Sequence, residues 1–295
     1  SIGMTIVVTG GAGYIGSALI RSSAFTSLTN EIIIVDTFES GTFSSVSNLY
    51  ASAQYRVIEA DVSTGLPENV LVNCTAVIHL AASTLSAASA TDSTLVDKNF
   101  AATCAVADQC HRLGIPLVFP STCSVYTPST FVINEQSPLD GGITPYAQSK
   151  LREEQFIERL RCRGMSATTL RLGSVFGVSP GMHFHTAVSR FCRQAARGEP
   201  IEVWTTAMDQ IRPYTSISDA TSAIIHVVRR KHSDTSPINI VSCNTSVRNV
   251  LAAIAETGIT VQPVLVPSPA MRAGSLRVET PGSISWLCAS RQPEE

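Results

Sequence analysis

From Thr5 onward, short runs of consecutive apolar, largely β-branched residues alternate with longer stretches in which apolar residues recur three or four apart. An unbroken apolar run suits a strand covered on both faces, and a spacing of three or four suits a helix with one buried stripe. The rhythm therefore predicts repeated β-α-β units around a parallel sheet. Thr5 to Thr9, Ile32 to Val35, Tyr55 to Ile58, Ala76 to Leu80, Leu117 to Phe119 and Thr168 to Leu172 read as strands buried on both faces. Tyr14 to Ala24, Ser93 to Leu113 and Tyr146 to Arg163 are the clearest helices, with small or polar residues marking their ends. After Gly177 the pattern loosens into longer connections, interrupted by helical stretches at Thr186 to Arg197, Asp219 to Arg230 and Val247 to Glu256. The expected class is α/β, a doubly wound parallel sheet over residues 4–177. Residues 178–295 are expected to form a smaller, mainly ligand-binding portion on the sheet's carboxyl edge, with some segments returning to the sheet. The polar tail beyond Pro281 is expected to be poorly ordered.

Composition narrows the function classes. With 295 residues, 44% of them hydrophobic and 15% charged, the chain has ample material for a large core. A formal charge of −2 and no dense Lys/Arg tract give no footprint for nucleic acid; Arg229-Arg230-Lys231 reads as a helix end. No apolar run approaches the roughly 20 residues that span a bilayer, so no membrane partner is expected and a cytoplasmic location follows. The eight cysteines include no Cys-x-x-Cys pair, which points to reduced thiols and to neither a disulfide framework nor a zinc cage. No metal is expected: His183-Phe184-His185 has no evident third ligand and reads as a loop that touches a substrate or simply packs.

One end of the predicted sheet has the makings of a dinucleotide site. The first strand runs into Gly10-Gly11-Ala12-Gly13-Tyr14-Ile15-Gly16, and Tyr14 opens a helix. Glycines there permit a tight turn and let backbone approach a pyrophosphate at the helix start. The second strand ends in Asp36, twenty residues past Gly16, where a carboxylate accepts from both ribose hydroxyls of an adenosine and repels a 2′-phosphate. NAD is thereby preferred over NADP. Asp61 and Val62 after the third strand, and Leu80, Ala81 and Ala82 after the fourth, are candidate contacts of the same cofactor, with a plain turn or cap equally open for Asp61.

Tyr146 and Lys150 stand four apart behind Pro145, so both side chains share one face of a first helical turn. A phenol with a pKa of about 10 is a poor base at neutral pH unless cations stabilise the phenolate. Lys150 and a positive nicotinamide ring would do so, letting Tyr146 take a hydroxyl proton as hydride leaves the same carbon. Ser121-Thr122-Cys123-Ser124-Val125-Tyr126 follows the fifth strand, where a hydroxyl can bridge a substrate oxygen and Tyr146.

Taken together these motifs resemble the extended short-chain dehydrogenase/reductase family, the NAD-dependent nucleotide-sugar epimerases and dehydratases of UDP-glucose 4-epimerase type. The resemblance runs over almost the whole chain, from the glycine loop through Asp36, the Leu-Ala-Ala turn, Asn99, Tyr146-x-x-x-Lys150 and Arg171 to Gly177, as far as Arg212-Pro213-Tyr214 and Asp219. It implies a Rossmann-type sheet, bound NAD with Asn99, Tyr146 and Lys150 beside it, and Thr122 as the catalytic hydroxyl. It also implies a nucleotide-diphosphate sugar as substrate, held through Thr122, Cys123, Ser124, Ser174 and Arg212, and a homodimer through a helix bundle. Departures matter as much. Dehydratases of the family place an acid and a Glu after the catalytic Thr, where this chain has Cys123 and Ser124. Ser174 stands for the usual Asn, Pro213 for Asp, and Gly274-Ser275 for a Gly-Asp pair. The expected reaction is therefore 4-epimerisation through a transient 4-keto sugar. A ketoreductase or dehydrogenase, a dehydratase or decarboxylase, and a non-enzymatic NAD-binding regulator or scaffold are the alternatives.

Overall fold

The computed structural model describes residues 4–39, 43–49, 53–82, 93–140, 144–230, 236–267 and 274–280. The first strands are β1 (Thr5–Thr9), β2 (Glu31–Asp36), β3 (Gln54–Glu59), β4 (Cys74–His79), β5 (Leu117–Thr122) and β6 (Ala167–Leu172). Beyond them come β7 (Ser174–Phe176), β8 (Ile201–Trp204), β9 (Ile211–Ser216), β10 (Ile238–Ile240), β11 (Cys243–Ser246) and β12 (Pro263–Val266). The helices are α1 (Tyr14–Leu19), α2 (Ser23–Thr26), α3 (Ser93–Leu113), α4 (Pro145–Arg161), α5 (Ala187–Ala196), α6 (Ile217–Arg229) and α7 (Val247–Glu256).

The main sheet has seven strands in the order β10-β6-β5-β4-β1-β2-β3, and every pairing in it is parallel. Strand order reverses between β1 and β4, and such a switch point opens a crevice at the carboxyl ends, where open α/β sheets bind ligands. Period-two alternation divides the core. Ile6, Val8, Ile32 and Ile34 pack with Leu19, Ala220 and Ile224 on the α1/α6 face. Val7, Ile33 and Val35 pack with Val106, Cys110 and Ile157 on the α3/α4 face. Both faces are thus dry, as the unbroken apolar runs require.

Two elements depart from expectation. Among the described residues β3 is an edge strand, paired only with β2, and its side chains are exposed or half-buried, unlike those of the inner strands. The single helix expected over Tyr14 to Ala24 is broken: Ser22 adopts extended backbone, and the amides of Phe25 and Thr26 turn back to its carbonyl. The break lets Phe25 enter the core and leaves Arg21 free to donate to the carbonyls of Ser45 and Ser47. The tail beyond Pro281 lies outside the described residues.

After β6 the chain builds two small sheets, β11-β9-β7 and β12-β8. A separate apolar cluster of Phe191, Ile201, Val203, Leu251 and Ile254 joins α5, α7 and β8. β10 then returns to the main sheet beside β6.

Candidate active site

The loop between β1 and α1 is shaped by close approach. Gly10 has φ +67°, and a Cβ on it would lie 2.7 Å from the backbone of Leu80 and Ala81, so the end of β4 presses directly on the loop. Gly13 caps α1 and its amide returns to the Gly10 carbonyl at 3.0 Å. Asp36, at the end of β2, accepts from the amides of Ala12 (3.0 Å) and Phe38 (2.9 Å), one on each carboxylate oxygen. Leu80, Ala81 and Ala82 follow β4 at half-buried positions, and Ile15 packs on the α1/α6 core while Gly16 continues the helix. A small-residue loop against a strand end, with a carboxylate at its rim, fits the pyrophosphate and adenosine ribose of NAD. Asp61 lies farther out. Its carboxylate accepts from the Ser63 amide (2.8 Å) and meets Lys98 at 3.2 Å; these hold its pKa below the usual range, the backbone bond foremost. Val62 turns into the core and Asn99 is buried on α3.

The loop is tied from above by the segment after β7. Tyr14 donates to the Gly177 carbonyl, the Ser179 hydroxyl donates to the Tyr14 carbonyl (2.6 Å) and lies 2.7 Å from that of Ser17, and Gly181 donates to Ser17 Oγ (2.8 Å). A Cβ on Gly181 would collide with the carbonyl oxygens of Ala12 and Gly13. His183 stacks obliquely on Tyr14 and lies 5.0 Å from His185 between ring centres. No group of three potential metal ligands occurs among the described residues.

Thr144 caps α4 by accepting from the Ala147 amide (3.2 Å), and Pro145 opens the first turn, which fixes Tyr146 and Lys150 on one face as their spacing requires. The Lys150 ammonium lies 5.9 Å from the Tyr146 ring centre, 4.5 Å above the Phe119 ring and 3.4 Å from the Pro120 carbonyl, so it joins α4 to the end of β5. Lys150 is only 5% exposed, and Tyr146 38%. Burial nevertheless leads in raising the Tyr146 pKa above that of an ordinary phenol; Lys150 opposes the shift and Glu153 adds to it. For Lys150, burial works downward but is outweighed, chiefly by Glu153 at 3.2 Å, and the pKa ends raised.

Thr122 ends β5, its hydroxyl accepting from the Ser124 amide (3.1 Å), with Ser124 exposed beside it. Cys123 departs from the substrate-contact expectation. It is 1% exposed, sits among Val125, Tyr126 and Val241, and donates to the Arg171 carbonyl at 3.4 Å, with burial pushing its thiol pKa up. Ser174 is exposed and pairs in register with Tyr214 of β9, the strand that carries Arg212. The Arg212 guanidinium donates to the Gly274 carbonyl and Gln210 Oε1, both at 2.6 Å; burial lowers its pKa, and no carboxylate pairs with it among the described residues.

Several supporting residues escaped the sequence reading. Thr9, His79 and Thr103 form a buried chain behind the loop, and Glu154 pairs with Arg171 beneath Ser121. Glu153 had a signal: it stands three residues after Lys150, within reach on a helix.

The sequence profile of the NAD dependent epimerase/dehydratase family matches residues 6–241. The chain belongs to that family. Among its relatives are the UDP-glucuronic acid decarboxylase 3 of Arabidopsis thaliana, 25% identical over 80% of this chain and 69% of that protein, and the UDP-glucose 4-epimerase of Azospirillum brasilense, 29% identical over 77% and 68%. The structure of MoeE5 in complex with UDP-glucose and NAD superposes with a TM-score of 0.81 at 27% identity, covering 96% of this chain and 92% of that one. The family is one of NAD-dependent sugar-nucleotide epimerases, dehydratases and decarboxylases.

Proposed function

We propose that the protein is a nucleotide-sugar 4-epimerase. The observation that carries this reading is the turn after Thr122: Cys123 is buried and Ser124 is a small exposed hydroxyl, so the turn offers no carboxylate for eliminating water from a sugar. The nearest α4 carboxylates are committed elsewhere, Glu153 to Lys150 and Glu154 to Arg171. Bound NAD would supply hydride acceptance and return. Tyr146 takes the proton of the sugar 4-hydroxyl and later gives it back; Lys150 stabilises the phenolate; Thr122 orients the sugar oxygen. Gly10, Gly13, Tyr14, Ile15, Gly16 and Asp36 hold the cofactor, with Leu80, Ala81, Ala82 and Asn99 along it and Asp61 and Val62 at its adenine end. Ser124, Ser174 and Arg212 face the nucleotide diphosphate, for which an arginine fork without a carboxylate partner is suited. Residues 4–177 carry the cofactor and catalytic helix, residues 178–295 mainly the substrate, and α3 with α4 is the face for a homodimer.

A second reading, a UDP-glucuronic acid decarboxylase, draws on the similarity to the Arabidopsis enzyme. One experiment separates them. Incubation with UDP-sugars, followed by proton NMR of the product, shows inversion at C4 without net NADH for the epimerase. Carbon dioxide release and a pentose product would replace it with the decarboxylase, and stoichiometric NADH with a dehydrogenase. Tyr146→Phe lowers kcat by roughly a hundredfold or more.

A further inference from the structure

Glu153 is a carboxylate in an unusual place. It is 1% exposed, on α4, one turn after the catalytic lysine and facing α3. Its Oε1 accepts from the Ser149 hydroxyl at 2.7 Å, and Ser149 Oγ lies 3.3 Å from the Val96 carbonyl oxygen of α3. Its Oε2 lies 3.2 Å from the Lys150 ammonium yet makes no aligned hydrogen bond among the described residues, so charge attraction is that oxygen's compensation for burial. The ammonium thus lies between Glu153 at 3.2 Å and Tyr146, whose ring centre is 5.9 Å away.

We propose that Glu153 is a positioning residue that shares the Lys150 ammonium with Tyr146 and thereby sets how readily Tyr146 gives up and regains its proton. This rests on Tyr146 being the proton acceptor. The surrounding groups leave Glu153 as the negative charge that competes with Tyr146 for the Lys150 ammonium. From β4, His79 is neutral, its pKa pushed down to about 3 by burial and by Lys150. From α3, Cys104 is a neutral thiol, pushed up to about 11 by burial and by Glu153 itself. From α4, Glu154 is matched by Arg171 at 2.7 Å. From β5, the Phe119 ring and the Pro120 carbonyl face Lys150 without bearing a charge. A carboxylate within this shell opposes formation of a phenolate directly, and it also draws off the cation that would favour one.

Protein labelled with carbon-13 at the tyrosine ζ carbons is titrated by NMR without substrate, the Tyr146 resonance being assigned by its loss in Tyr146→Phe. In Glu153→Gln the Tyr146 midpoint falls by roughly one pH unit or more, and Glu153→Asp stays close to the parent protein. A midpoint that is unchanged or raised in a folded Glu153→Gln protein overturns the proposal; if that variant does not fold, the uncharged Glu153→Met is held to the same outcome. No turnover enters the measurement. A protein inactive on every sugar nucleotide would count against the proposed reaction and leave this result to stand separately.

Discussion

Thr9 and His79 meet side by side beneath the glycine loop, Thr9 Oγ1 lying 2.8 Å from His79 Nδ1. The same hydroxyl accepts from the Ala81 amide at 3.1 Å, and His79 Nε2 lies 3.0 Å from Thr103 Oγ1. A neutral imidazole completes this chain, one ring nitrogen donating and the other accepting. Burial, then Lys150, holds the His79 pKa down at about 3, far below the ordinary histidine value of 6.5. As pH falls below the ordinary value the unfolded chain binds this proton and the folded chain does not. Stability is therefore lost between about pH 6.5 and pH 3, at up to roughly 1.4 kcal/mol per pH unit. Urea unfolding at pH 7 and pH 5.5 should show the drop in the parent protein and a clearly smaller one in His79→Gln, the remainder coming from His183 and His226, which burial also holds below the ordinary value.

Arg171 and Glu154 form a buried pair with contacts of 2.7, 3.1 and 3.2 Å, extended by Ser121 to Glu154 and by Arg171 to Tyr126 and on to Asn239. Arg171→Met leaves Glu154 buried without its cation and should cost about 3–5 kcal/mol. The double variant Arg171→Met/Glu154→Leu should lose less than Arg171→Met alone in denaturant titrations. A double variant that loses more would show that the pair is not the source of the penalty.

Gly181 lies so close to the loop that a methyl group there cannot coexist with the Ala12 and Gly13 carbonyls. Gly181→Ala should cost about 1–3 kcal/mol and lift the segment from α1. Hydrogen exchange is the check: the Gly181 amide, now held by Ser17, should exchange faster while the amides of β1 and β2 keep their protection.

Arg212 has neutral partners in Gly274, Ile211 and Gln210. If its fork holds a diphosphate, Arg212→Lys should raise KM for a sugar nucleotide roughly tenfold or more with kcat little changed, since lysine offers a point charge and no fork. An equal fall in kcat with KM unchanged would place Arg212 in the chemical step instead.

The strands and long helices were legible because their signals are local. Ser93–Leu113 and Val247–Glu256 appear with the bounds that the apolar spacing predicts, and β1 likewise. What failed depended on neighbours. The apolar content of Tyr55 to Ile58 does not reveal that β3 has a partner on one side only, and the backbone turn at Ser22 is needed to seat Phe25. In the site, Tyr146 and Lys150 follow from helical spacing, whereas the partners that enclose Cys123 are set by the 3-10 turn after β5, which packs it against Val125, Tyr126 and Val241. The Thr9, His79 and Thr103 chain joins residues 70 and 24 apart in sequence and becomes visible only when β1, β4 and α3 are assembled.

The return of β10 bears on how the molecule is made. Its residues Ile238, Asn239 and Ile240 register against Leu170, Arg171 and Leu172, closing the β6 side of the sheet with a piece that leaves the ribosome some seventy residues after β6 itself. Until then the emerging chain carries an unpaired edge beside the Glu154 and Arg171 charges, and such edges invite association with other chains. A polypeptide cut at residue 177 would keep that exposed edge permanently, so the two halves are expected to mature together or not at all.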